Sequence, residues 1–474
     1  MAHHQRGFFT LEILIAMAVI ILALGSAVLV SGSNQSLLID SEINSEAINL
    51  AEKSIENEQA LAVKDFKLVN PTTNTETVGL ITFRKEISVS PLSDYFTKKV
   101  TARVSWPGTF GRSPEVSFDT LVTNYQNSSD GDTCDSELTG DWTKAQIKKT
   151  FKITDLITDI DAYEGKLYIT TNNSSTNNPT FHIYNIDISD PDEPTLILNK
   201  EIDNDTNNAG LNAVAVASSS FGNYAYAASG SSFTKGQLQV VDLNGSTPAI
   251  LKTYKIPTSL VSGSGIGNSI FYKNNYVYLG LTKTGSGPEF NIIDVSNPSS
   301  PIWVGGYAIG NDVNTIYVSG NYAYLGTPNT QELITLNISD PYNIYKVGGF
   351  NALSGAGNGK SIYVVSDKLY LGKTQGAGFD LHILDNTNPE TNLPQLGGVD
   401  IGSTNSIDGV IVRDYLTFLL TNKNIQILDT SDSSAITSYI TPITLPSGTG
   451  TSMDCEGNYL YLGTDNGNMY IVSP

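Results

Sequence analysis

Four histidines and two cysteines are all this chain offers of the residue types that most often carry acid–base, nucleophilic or soft-metal chemistry. His3 and His4 stand at the extreme N-terminus, and His182 and His382 fall in short strand-like runs. A Ser-His-Asp triad would need one of the last two beside a strained serine turn, and no such turn is in view. His382 aligns with Asn291, Thr335 and Gln426 in the repeats described below, so it reads as an ordinary polar strand position. The glycine-rich VSGSGIG, Val261 to Gly267, follows no βαβ pattern and reads as a connector, not a phosphate loop. Asp130, Asp132, Asp135 and Glu137 do not keep the spacing of a calcium loop. One lone acid is more telling. Glu12 adjoins Ile13 to Val30, a run with no charge and no proline. A carboxylate there is costly in lipid unless it has a partner or a function.

The remaining composition bounds the function. The chain has 474 residues, 40% hydrophobic and only 16% charged, with 42 Gly and 24 Tyr. That mixture suits many short strands and turns. A formal net charge of −20 repels phosphate backbones, so no nucleic-acid partner is expected. Cys134 and Cys455 permit one disulfide but no cysteine-based metal centre. No cofactor is implied; a structural cation such as calcium is left open.

Ile13 to Val30 is roughly the length that crosses a bilayer as a helix. Ahead of it lie a short basic leader ending in Gly7, then Phe8, with Glu12 five places into the chain that would begin there. This start resembles the prepilin signal of type IV pilins and pseudopilins. The resemblance implies cleavage after Gly7 by a prepilin peptidase and methylation of Phe8. It also implies pairing of Glu12 with the N-terminal amine of a neighbouring subunit. Leu37, Leu38, Ile43, Ala47, Ile48, Leu50, Ala51 and Ile55 continue a helical spacing to about Ala62. Three strand-like runs follow: ETVGLITFRKEISVS, KKVTARVSWPG and EVSFDTLVTNY. A long helix followed by a small antiparallel sheet is the pilin-like layout.

After a polar, acidic stretch read as a linker, one phrase recurs: FNIIDVSNP, LITLNISDP, LHILDNTNP and IQILDTSD, with looser copies in IYNIDISDP and LQVVDL. A second phrase keeps step with it, as in NYVYLG, NYAYLG, DKLYLG and NYLYLG. A period of roughly 45 residues with strand patterning points to four-stranded propeller blades. The phrases resemble the LVIVD repeats of extracellular β-propellers over 147–474. The last unit stops after its third strand, while IKKTFKI, Ile147 to Ile153, echoes the fourth strand ILKTYKI, Ile250 to Ile256. That N-terminal strand therefore completes the last blade and closes the ring, which removes unpaired edges.

The expected fold is mainly β: a long N-terminal pilin α-helix with a small antiparallel sheet, then a seven-bladed β-propeller. The expected boundaries are leader 1–7, membrane and assembly helix 8–62, small β domain 63–125, acidic linker 126–143 and propeller 144–474. Cys134 precedes the closing strand and Cys455 lies in the last blade, so a disulfide would staple the ring. The alternative is that Cys455 simply packs, as Val318 and Val364 do at the aligned positions. The starts of the first strands bring together a ring for a ligand: Asp159, Asn268, Asn314, Lys360 and Asp408, with Asn212, Ser269, Thr315, Ser361 and Ser452 beside them. The Tyr repeated once per blade, from Tyr168 to Tyr461, reads as inter-blade packing.

The resulting expectation is a non-enzymatic minor pilin-like subunit. It is anchored in the membrane before assembly, with its propeller outside the cytoplasm and then on the cell surface or filament. Its expected partners are other pilin subunits, the prepilin peptidase, the inner-membrane assembly machinery, and a surface glycan or protein ligand. The alternatives are a pseudopilin of a secretion or DNA-uptake system and a tethered propeller enzyme.

Overall fold

The structure is a computed structural model. It describes residues 42–62, 69–91, 97–108, 113–123, 134, 138, 140–153, 155–172, 181–202, 210–230, 236–263, 265–328, 331–352, 357–365, 367–402, 406–413 and 415–474. Gly7, Phe8, Glu12 and the apolar run that follows lie outside these residues, as do Asp130, Asp132, Asp135 and Glu137. Among the described residues no helix is long and apolar enough to cross a membrane. The chain divides into two units, Met1–Gln126 and Asn127–Pro474.

In the first unit, residues 42–62 form helix α1. Its buried stripe, Ala47, Leu50, Ala51 and Ala62, packs on an antiparallel sheet of order β1-β2-β3-β4. The strands are β1 Thr72–Val78, β2 Ile81–Pro91, β3 Thr97–Ser105 and β4 Glu115–Thr123. Along β3 and just beyond it, Val100, Ala102, Val104 and Trp106 are buried, the alternation a half-buried strand requires. The sheet differs from the sequence reading in one respect. ETVGLITFRKEISVS is a hairpin rather than one strand, because Gly79 turns the chain at φ 61.

The second unit contains seven antiparallel sheets among the described residues. Sheet I comprises β6 Leu156–Tyr163, β7 Lys166–Asn172, β8 Phe181–Asp187 and β9 Thr195–Ile202. Sheets II to VI span 211–254, 267–307, 315–350, 359–399 and 407–444. Sheet VII pairs three strands within 450–473 with β5, Gln146–Lys152, which lies antiparallel to Asn468–Ser473. The first strand of each sheet contacts the first strand of the next, and that of sheet VII contacts β6, so the seven close a ring.

The repeated phrase has a physical basis. Its Asp or Asn ends the third strand and accepts the amide two residues on: Asp187 from Ser189, Asp294 from Ser296, Asn337 from Ser339, Asp385 from Thr387 and Asp429 from Ser431. The tyrosines of the second strands, Tyr168, Tyr226, Tyr278, Tyr324, Tyr370 and Tyr461, are all buried. The stretch read as an acidic linker departs from expectation at its far end. Cys134, Leu138 and Trp142 are buried in the core of sheets V to VII, and Trp142 packs edge-on against Phe418 at 4.7 Å. Its many acids and amides mask these three apolar residues in the sequence.

Candidate functional site

The first strands surround a central cavity of about 510 Å³. In six of them the pairing with the second strand skips one residue near the start. The skipped residues are Thr158, Asn212, Asn268, Lys360, Asp408 and Thr451, and in sheet IV Asn314 stands in the same place just before its strand. These bulges aim one side chain per sheet at the cavity mouth. Four of the seven act alike, each bonding the backbone carbonyl just before the equivalent residue of the next sheet. Thr158 donates to Leu211 at 2.6 Å, Asn212 to Gly267 at 2.7 Å, Asn268 to Val313 at 2.9 Å and Asn314 to Gly359 at 3.0 Å.

The pattern ends at sheet V. Lys360 turns instead to Asp408, 3.7 Å from Nζ to Oδ1. Burial pushes the Asp408 carboxyl up to about 6, against the pull of Lys360. Thr451 Oγ1 is buried and has no hydrogen-bond partner among the described residues.

All the ring residues expected from sequence line this cavity, but in two layers. Asp159 does not share a level with Asn268. Its register partner is Thr170, which places it beside Ser269, Ser361 and Ser452, one step deeper. Asp159 follows the skipped Thr158 as Ser269 follows the skipped Asn268. Here Ser269 Oγ donates to Val313 and Ser361 Oγ to Ile407. Asp159 accepts the amides of Val214 and Ile160, and burial raises its carboxyl to about 7. Ser452, 6% exposed, has an Oγ with no partner among the described residues.

The next layer is the one the sequence reading missed. Each member pairs with the aromatic residue of its second strand, giving Asp161, Ala215, Phe271, Tyr317, Tyr363, Ile411 and Asp454 in ring order. Phe271, Tyr317 and Tyr363 form a continuous arc, with centroids 5.3 and 5.7 Å apart. In the ring, the strands of Asp454 and Asp161 face that of Tyr317. Asp161 accepts the Val216 amide at 2.7 Å and Asp454 the Ala162 amide at 2.5 Å. Burial raises the Asp454 carboxyl to about 7, and repulsion from Asp159 and Glu456 adds to the effect. Among the described residues no three His, Cys, Asp or Glu converge as a metal would need.

Elsewhere, a cavity of about 980 Å³ holds His382 with Phe350, Phe379 and Gln395. His382 Nδ1 lies 3.0 Å from Gln395 Oε1, and burial pulls the imidazole down to about 4. His182 lies 3.8 Å from Asp155. Cys134 and Cys455 are joined as a disulfide.

A closed ring of antiparallel sheets, six of four strands and one of five among the described residues, around a central cavity defines an architecture. The second unit is a repeat β-propeller. The LVIVD repeat matches residues 264–309 and 310–351. The solved structure of virginiamycin B lyase from Staphylococcus aureus, an inactive variant with quinupristin, is similar at a TM-score of 0.51 and 12% identity. That likeness covers 70% of this chain and 100% of the lyase. The WD40 domain of Neurospora crassa Pan2 has a TM-score of 0.49 at 11% identity, covering 70% of this chain and 96% of that one. BamB from Moraxella catarrhalis has 0.44 at 14%, covering 82% and 96%. No curated protein matches this sequence. At 12% identity the likeness to the lyase is one of fold alone.

Proposed function

We propose that the chain is a minor subunit of a type IV pilus-like filament and displays a seven-bladed β-propeller outside the cell for adhesion or ligand binding. The observation that carries this reading is the start of the sequence: Gly7, Phe8 and Glu12 ahead of an uncharged run. A carboxylate at the edge of such a run is tolerable when it pairs with a charge, and the N-terminal amine of a neighbouring subunit would supply one. Helix α1, laid along a small antiparallel sheet, supports a pilin-like first unit. A second unit of this bulk would crowd a repeating shaft, which favours a minor position in the filament.

The propeller is read as a binding module rather than an enzyme. Three of the four acids of its cavity, Asp159, Asp161 and Asp454, hold backbone amides of the next blade, Asp408 pairs with Lys360, and among the described residues no serine nucleophile is aligned with His182 or His382. The lyase of similar fold shows that propellers can carry catalysis, so this reading rests on the chain's own residues.

Mass spectrometry of sheared filaments tests it. The expected result is this chain in the filament fraction, beginning at methylated Phe8. Processing after Gly7 with retention in the membrane fraction would favour a pseudopilin instead. A chain that still carries Met1 would overturn the filament reading.

A further inference from the structure

We propose that the axial cavity receives an organic ammonium group, seated between the aromatic arc of Phe271, Tyr317 and Tyr363 and the carboxylates of Asp161 and Asp454. This deepens the ligand-binding reading of the propeller and rests on it. Three aromatic rings at one depth, on the first strands of three successive sheets, touch one another along the wall of the cavity. A cation within about 6 Å of such a ring is attracted by its quadrupole, and more strongly where water is excluded. The strands opposite carry the two acids at the same depth, each fixed by a backbone amide. A ligand in the cavity would therefore meet aromatic rings on one side and acidic groups on the other.

The ionisable groups lining this cavity are four acids, Asp159, Asp161, Asp408 and Asp454, against Lys360, and the acids outweigh the lysine even though burial raises three of them. That balance opposes an anion. A metal ion is equally ill served. No three ligating side chains converge among the described residues, and aromatic rings occupy one side of the wall. A carbon-bearing cation satisfies both walls.

A further observation points to a missing partner. Ser269 and Ser361 use their hydroxyls to clamp the next blade, whereas Ser452, on the strand of Asp454, is buried beside the cavity with its Oγ unmatched among the described residues. The volume of about 510 Å³ suits a small ligand or the end of a side chain.

The ammonium could come from a free amine or from a lysine of a partner protein. Calorimetry on the full-length chain in detergent separates the two, with choline, cadaverine and N-acetyl-lysine methylamide as probes. The uncharged 3,3-dimethylbutan-1-ol serves as the shape control for choline. The expected result is binding of at least one ammonium probe, with the neutral alcohol weaker than choline by roughly 10-fold if choline is the probe that binds. Asp454→Asn and Tyr317→Leu should each weaken binding by roughly 10-fold. If Tyr317→Leu does not fold, Phe271→Leu takes its place. Binding of the lysine derivative alone assigns the cation to a protein partner; binding of choline or cadaverine assigns it to a free amine. Absence of heat with every ammonium probe, equal binding of choline and the alcohol, or unchanged affinity in both variants overturns the proposal. Filament-dependent adhesion that persists in such a case leaves the display reading standing. Ammonium binding by a chain absent from filaments would instead sink the display reading alone.

Discussion

Asn268 donates its side-chain amide to the carbonyl of Val313, 2.9 Å away and 45 residues on. Val313 immediately precedes Asn314, which repeats the bond onto Gly359. Sheets I to IV thus each hold the next by the equivalent side chain, and the mouth of the cavity is in part a row of clamps. Removing one clamp leaves a half-buried carbonyl without its donor. Asn314→Ala should cost about 1 kcal/mol of unfolding free energy. Urea denaturation of the variant would measure it, and an unchanged midpoint would show that the bond adds nothing.

A second repeated device lies on the outer strands. VGGY, VGGF and LGGV recur at the fourth strands of sheets III, IV and V. A Cβ on Gly305, Gly348 or Gly397 would overlap a backbone carbonyl of the following blade, that of Pro341, Thr391 or Ser433. Backbone cannot retreat as a flexible side chain can, so Gly348→Ala should destabilise by about 1–3 kcal/mol. An alanine variant as stable as the parent would mean that sheets IV and V can slide apart freely.

These devices also explain what could be read in advance. The turn acids, the glycine pairs and the echo of ILKTYKI in IKKTFKI are local chemistry repeated at a fixed period, so the sheets and the closing strand were legible. The hairpin at Gly79 was not, because Val78 and Leu80 flank the turn with apolar letters and nothing polar marks it. Asp159 illustrates a subtler failure. Thr158, not Asp159, is the equivalent of Asn268, and in a run of two polar letters nothing marks which one the pairing skips. The aromatic arc and its facing acids escaped for a different reason. Phe271, Tyr317 and Tyr363 look like further packing residues until ring closure sets Asp454 and Asp161 across from them.

Glu12 gives the proposed assembly role its sharpest test. If its carboxylate pairs with the amine of a neighbour, Glu12→Ala removes one half of an ion pair in an apolar setting and leaves the other uncompensated. The variant should be processed and inserted normally yet be missing from sheared filaments. Immunoblots of filament and membrane fractions read this directly. Incorporation at the parental level would rule out the pairing.

The cavity acids should leave a signature in pH. Asp159 and Asp454 sit near about 7 when folded, against an ordinary value of 3.8, chiefly because burial penalises their charge. The folded chain therefore holds these protons more tightly than the unfolded chain. Their contribution to stability is fully present below about pH 4, declines as the pH rises, and is lost above about 7. The urea midpoint should be higher at pH 5 than at pH 7.5. Asp454→Asn keeps an oxygen for the Ala162 amide but cannot titrate, so it should reduce that difference. A slope the variant does not alter would assign the effect to other groups.

The disulfide between Cys134 and Cys455 closes a loop with a sequence separation of 321. It ties the segment ahead of β5 to the first strand of the blade that β5 completes. In the chain-entropy account, a cross-link over so long a loop stabilises by roughly 3–5 kcal/mol, chiefly by restricting the unfolded chain. Reduction, or Cys134→Ser, should lower the urea midpoint accordingly. It should also have a local effect: Leu138 and Trp142 lose their tether, so the segment before β5 should become the first site of proteolytic cleavage. Buried backbone in a closed ring resists proteases, and the unlatched segment is where that protection ends. Limited proteolysis with and without reductant, read by mass spectrometry, reports the cleavage site. Identical stability and an identical cleavage pattern in the two conditions would show that strand pairing between β5 and Asn468–Ser473 closes the ring without help from the sulfur bridge.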